Sequence, residues 1–129
     1  MRILLDTHAL HWAVDAPERL GVAGRALLGA AEHEVFVSPI SGWELAQHAR
    51  KGTIMFDRPV AAWVDEAVSG LEAVVLPITM AIALDSELLD YPHRDPGDRF
   101  LLATALAHDL VMLTRDERMQ AWLGSRAVW

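Results

Sequence analysis

Four short apolar runs separated by longer helical patterns constrain this chain more than any other feature. RILLD at 2–6, EVFVS at 34–38, AVVLPI at 73–78 and LVMLT at 110–114 are brief and rich in branched or apolar residues, as strands buried on both faces are. Residues 8–15, 20–32, 39–51, 60–70, 79–89 and 97–108 instead repeat apolar positions at helical spacing. A strand that is apolar on both faces needs helices above and below it. The alternation therefore predicts an α/β three-layer sandwich, its central, mostly parallel sheet of four to five strands flanked by helices. The tail AVW at 127–129 is the candidate edge strand.

Helix boundaries are well marked. Ser38-Pro39 and Asp95-Pro96 each place a capping side chain before a proline suited to the first helical position. Gly52 suits a helix end, and Asp57-Arg58-Pro59 reads as a turn. With 129 residues, no Gly- or Ser-rich linker and no internal repeat, residues 1–129 are expected to form a single domain.

Cysteine is absent, which excludes disulfides, thiolate zinc sites and cysteine nucleophiles and fits a reducing compartment. No apolar run resembles a signal-peptide core or approaches the length of a membrane span, so a cytoplasmic location without membrane attachment is expected. The formal net charge of −7 argues at first against a nucleic-acid partner. An acidic cluster holding divalent cations, however, changes from repelling phosphate to attracting it.

Ligands of open α/β sheets collect beyond the carboxyl ends of the strands. Asp6 ends the first strand and Asp116 follows the fourth by two residues. If those strands are neighbours, the two carboxylates meet. Glu44 lies about one and a half turns into the helix after the second strand, and Asp98 lies in the first turn of the helix in HRDPGDRFLLATA, so all four can share one rim. Two carboxylates about 4 Å apart repel by roughly 4 kcal/mol at an effective dielectric near 20, so such a cluster needs a counter-ion. Oxygen donors alone favour a hard cation, Mg²⁺ with Mn²⁺ as a substitute. Each acid also has an ordinary use: Asp6 as a turn former or cap, Asp95 as a helix cap, Asp98 as complement to a helix dipole, Glu44 as a solvated surface charge and Asp116, in the charged run RDER, as part of a surface turn.

Histidines offer a competing metal reading. His8 and His11 stand three apart on a helix, with His48 and His93 elsewhere, but no H-E-x-x-H or Cys-His spacing supports zinc. Trp12, Trp43 and Trp63 are expected in the core or in helix grooves, where an indole could also meet a partner.

Taken together, LLDTHALHW, SPISGWELAQHARKGTI, HRDPGDRFLLATALAHDL and VMLTRDERM resemble PIN-domain proteins, in particular VapC-type toxins of type II toxin–antitoxin systems, over nearly the whole chain. The resemblance implies a PIN-like fold and a Mg²⁺- or Mn²⁺-dependent endoribonuclease that hydrolyses RNA through water activated at the metal. It implies that Asp6, Glu44, Asp98 and Asp116 serve as both metal ligands and catalytic residues, Asp98 matching better than Asp95 because it precedes the apolar run ending in Ala-x-Ala. Thr7 and Thr114 match supporting hydroxyl positions, and Asp95 is either ligand or cap. A homodimer and a cognate VapB-type antitoxin, its tail in a groove formed by Trp-bearing surfaces of the first and third helices, are implied as partners.

Two departures bear on substrate contacts: Gly97 stands where many relatives carry a bulky apolar residue, and Arg115 with Arg118 makes the Asp116 segment unusually basic. Arg94, Arg99, Arg115 and Arg118 lie near the acids and are the candidate RNA contacts, unless each only pairs with a neighbouring acid. A haloacid-dehalogenase-like phosphatase needs a second Asp where this chain has His8. A phosphoacceptor domain needs an Asp ending the third strand, absent from AVVLPI, and a lysine near the last strand, whereas the only lysine here is Lys51. A catalytically degenerate module that binds RNA or a partner is the remaining alternative.

Overall fold

Every side chain of Ile3, Leu4 and Leu5 is fully buried, which places Arg2–Leu5 (β1) at the centre of the sheet. The computed structural model describes residues 1–129. In chain order the remaining elements are Thr7–Asp15 (α1), Val22–Leu28 (α2), Glu34–Val37 (β2), Pro39–Lys51 (α3), Val60–Gly70 (α4) and Val74–Val75 (β3). Met80–Leu88 (α5), Pro96–Ala107 (α6), Val111–Leu113 (β4), Glu117–Leu123 (α7) and Ala127–Val128 (β5) follow. All strand pairs are parallel and the spatial order is β3-β2-β1-β4-β5.

Strand periodicity divides the core into two layers. Ile3, Leu5, Val35 and Val37 join Leu10, Trp12, Leu45 and Trp63 on one face of the sheet. Leu4, Phe36 and Met112 join Leu101, Leu102, Leu110, Met119 and Leu123 on the other. Because β1 pairs with β2 on one side and β4 on the other, strand order reverses at β1, and the residue that leaves its carboxyl end is Asp6. The adjacency of the first and fourth strands assumed from the sequence is thus present, with Leu5 opposite Leu113.

Three expectations change. The third strand shrinks to Val74–Val75, both half exposed at the sheet edge, because Pro77 cannot extend the ladder. The helix expected over 20–32 covers only Val22–Leu28, preceded by a 3-10 turn at Pro17–Arg19 and ended at Gly29. The charged segment after Asp116 is not a surface turn but α7, capped by Asp116 and anchored through Met119 and Leu123, one helical turn apart. No helix is long and apolar enough to cross a membrane.

Candidate metal centre

The four acids converge. Asp6, Glu44, Asp98 and Asp116 line one cavity of about 200 Å³, with Asp95, Thr7, His8, Leu101 and Met119 completing its wall. Each comes from a different element: the end of β1, the middle of α3, the first turn of α6 and the start of α7. The hollow of about 430 Å³ at the opposite end of the sheet, near Glu34 and Glu72, gathers no such set.

Hydrogen bonds fix three of the four carboxylates. Asp6 is 5 % exposed; its Oδ1 accepts from the Ala9 N–H at 2.7 Å, capping α1, while its Oδ2 accepts from the Thr114 hydroxyl. Thr114 Oγ1 also accepts from the Asp116 N–H at 3.0 Å, so one hydroxyl links the two strand-end acids. Asp116 Oδ1 accepts from Met119 N at 2.9 Å. On the facing wall Thr7 Oγ1 donates to Glu44 Oε1 at 2.7 Å and stands 3.1 Å from Ser41 Oγ. Thr7 and Thr114 therefore brace Glu44 and Asp6. Asp95 acts as the α6 cap, accepting from Asp98 N at 3.1 Å, while also facing the cavity.

The site is electrostatically uncompensated. Burial pushes the Asp6 carboxyl up despite the hydrogen bonds from Thr114 and Ala9. Glu44 is also raised, first by burial and further by Asp95 and Asp6. Asp98 is pushed up to about 7 by burial and by the charges of Asp95, Asp116, Glu44 and Asp6. A cluster of oxygen donors in which burial, with mutual repulsion, drives one member to hold a proton near neutral pH is one that a divalent cation relieves, so the donor set fits Mg²⁺ or Mn²⁺. No three of these side chains already converge on a common ion position, so binding would draw them inward or leave water on the remaining positions. The histidines form no zinc site either. His11 packs on Phe56 and Trp63 and pairs with Asp15, while His48 bonds Thr53.

Of the four arginines expected at RNA, Arg99 must be corrected. It is 3 % exposed, and its guanidinium donates to the carbonyls of Ser86, Glu87, Leu89, Tyr91 and His93, closing the loop between α5 and α6. A helix position one residue after a pocket acid points inward here because the loop carbonyls need a buried donor. Arg94 is exposed and paired with Glu87, and Arg115 and Arg118 are exposed. Trp12 and Trp63 are buried as expected, but Trp43 is 51 % exposed.

Sequence reasoning missed Gly97 as a contact. A Cβ there would stand 2.8 Å from the Glu44 carboxylate, so the bare backbone of α6 is what Glu44 lies against. Ser41 was missed as well. Ser41 sits three residues before Glu44 on the same helix, a spacing that shares a face.

A mostly half-buried acidic rim at the switch point of a doubly wound parallel sheet defines a class of α/β proteins equipped for divalent cations. Residues 3–122 match the PIN domain model, and the chain belongs to the PIN-domain family. It is 30 % identical over 126 residues to "Ribonuclease VapC22" of Mycobacterium tuberculosis, covering 98 % of this chain and 95 % of that one. Its fold is similar to that of a toxin-antitoxin complex from Klebsiella pneumoniae, with a TM-score of 0.70 at 23 % identity over 98 % of this chain and 96 % of the other. It is similar too to VapBC2 from Rickettsia felis bound to a promoter DNA fragment, with a TM-score of 0.67 at 14 % identity over 90 % and 88 % of the two chains.

Proposed function

We propose that this protein is a Mg²⁺-dependent endoribonuclease, the toxin of a toxin–antitoxin pair, acting in the cytoplasm. The observation that carries the reading is the convergence of Asp6, Glu44, Asp98 and Asp116 on one cavity whose charge nothing in the chain neutralises. The name of the VapC22 relative and the toxin-antitoxin neighbours support the same assignment.

Asp6, Glu44, Asp98 and Asp116 would hold the cation, with Thr7 and Thr114 fixing the carboxylate oxygens of Glu44 and Asp6. When bound, Mg²⁺ supplies positive charge facing the phosphodiester and makes water acidic enough to act as nucleophile near neutral pH. The chain contributes no nucleophile of its own. Exposed Arg115 and Arg118 flank Asp116 where the RNA backbone would approach.

Partner surfaces follow the same reading. A mainly apolar hollow of about 330 Å³ between α3 and α4, lined by Gly42, Ala46, Val60, Ala61, Val64 and Asp65 and adjoining in sequence the exposed Trp43, suits the antitoxin tail. Trp12 of the first helix is buried, so of the two indoles Trp43 of the third is the one this surface offers. Met80, Leu84 and Leu88 form an exposed apolar stripe along α5 that suits a second copy of the chain.

Inducible expression in bacteria of wild type beside Asp6→Ala tests the proposal. Growth arrest with new, discrete RNA ends is expected for wild type alone. Identical growth and identical transcript ends in both cultures would contradict it.

A further inference from the structure

Five of the ten arginines of this chain are already engaged. Arg58 pairs with Asp57 and Glu66, Arg94 with Glu87 and Arg126 with Asp109. Arg2 donates to the His108 carbonyl, and Arg99 is spent on loop carbonyls. Of the other five, Arg25, Arg50 and Arg118 stand over no ring, and Arg19 and Arg115 differ. They lie far apart in sequence, yet both guanidinium groups stand over the same ring, that of Trp12, at 4.3 and 5.2 Å from its centroid. Both are exposed, and Asp57, Glu66, Glu87 and Asp109, the carboxylates that arginines do reach, all belong to other pairs. The indole beneath is 5 % exposed and held by Trp129, so it is a fixed platform rather than a mobile side chain.

Two guanidinium groups sharing one indole repel each other unless an anion lies between them, and stacking restrains both before any ligand arrives. The platform also adjoins the acidic pocket. His8, whose ring is 5.5 Å from that of Trp12, forms part of the pocket wall, and Arg115 immediately precedes Asp116. A strand entering a negatively charged cavity on a chain of net charge −7 needs a cationic hold beside it. We infer that Arg19 and Arg115, carried together on Trp12, bind one phosphate of the RNA strand next to the bond that is cut. This site is separate from the metal ligands, involves a residue that the sequence did not single out, and rests on the ribonuclease reading for the identity of its ligand.

The test is fluorescence anisotropy with a short labelled oligoribonucleotide of mixed sequence, titrated over a range of salt in Ca²⁺, which occupies an oxygen-donor site without activating water as Mg²⁺ does. Full-length wild-type protein serves as the parent. Adding Arg19→Gln or Arg115→Gln is expected to weaken binding about fivefold to tenfold, and to reduce the slope of log K against log salt by about 0.7 per lost single-strand contact. Arg19→Lys should fall between the parent and the glutamine variant, because it keeps the charge but loses the planar stack. Arg126→Gln, which removes an arginine already paired with Asp109, should match the parent. Parent-level affinity and slope in both glutamine variants would overturn the arginine site alone. Failure of the parent to bind RNA at all would overturn the ribonuclease reading with it.

Discussion

At Gly97 an added methyl group would meet only the movable end of Glu44, so the two consequences of filling that space can be separated. Gly97→Ala gains up to about 1 kcal/mol of helix propensity, partly offset by loss of the Thr7–Glu44 hydrogen bond. The melting temperature should therefore stay within about 3 °C of wild type. Mn²⁺ affinity, measured by calorimetry, should instead fall about tenfold, because Glu44 leaves its braced position. Asp98 gives a second prediction. Its carboxyl, pushed up to about 7, keeps a proton that the unfolded chain loses near pH 4, so this contribution is complete at low pH and disappears as pH rises toward 7. Metal-free protein should be less stable at pH 7.5 than at pH 5. Asp98→Asn should recover about 1 kcal/mol at the higher pH, once the full shift is discounted for solvent screening. Mg²⁺ should stabilise wild type at pH 7.5 and leave the variant nearly unchanged, which thermal melts with and without the cation would show.

Among elements, the loop between α5 and α6 depends on a single side chain. Arg99 serves five carbonyls at once, and lysine cannot reproduce that planar fan of donors. Arg99→Lys should cost about 3 kcal/mol through unsatisfied carbonyls, lowering the melting temperature by about 10 °C. Unchanged melting would show that the loop is held by other contacts. This is also where the sequence was hardest to read. Strands β1, β2 and β4 were visible because residues buried on both faces leave unbroken apolar runs, and α3 because Ser38-Pro39 and Gly52 mark its ends. The strand-end position of Asp6 and the first-turn position of Asp98 followed from those boundaries. Helix α7 was hidden because only Met119 and Leu123 face the core while Arg115, Glu117 and Arg118 dominate the local pattern. The inward turn of Arg99 and the closeness of Gly97 to Glu44 were not legible either, since both depend on how α3 and α5 meet α6.

For the molecule as a whole, the excess of acids is concentrated where the two halves of the sheet diverge. Asp6, Glu44, Asp95, Asp98 and Asp116 account for most of the charge of −7, and the remainder of the chain is nearly balanced. The folded chain therefore presents a negative cavity with arginines near its edge, and metal loading would weaken the negative field there. Anomalous diffraction from crystals of the protein soaked in Mn²⁺ tests this most directly. A peak enclosed by Asp6, Glu44, Asp98 and Asp116, lost in Asp98→Asn crystals, is the expected result. An empty cavity in fully soaked crystals, or manganese bound only at some other surface, would contradict the assignment of these four carboxylates to a cation.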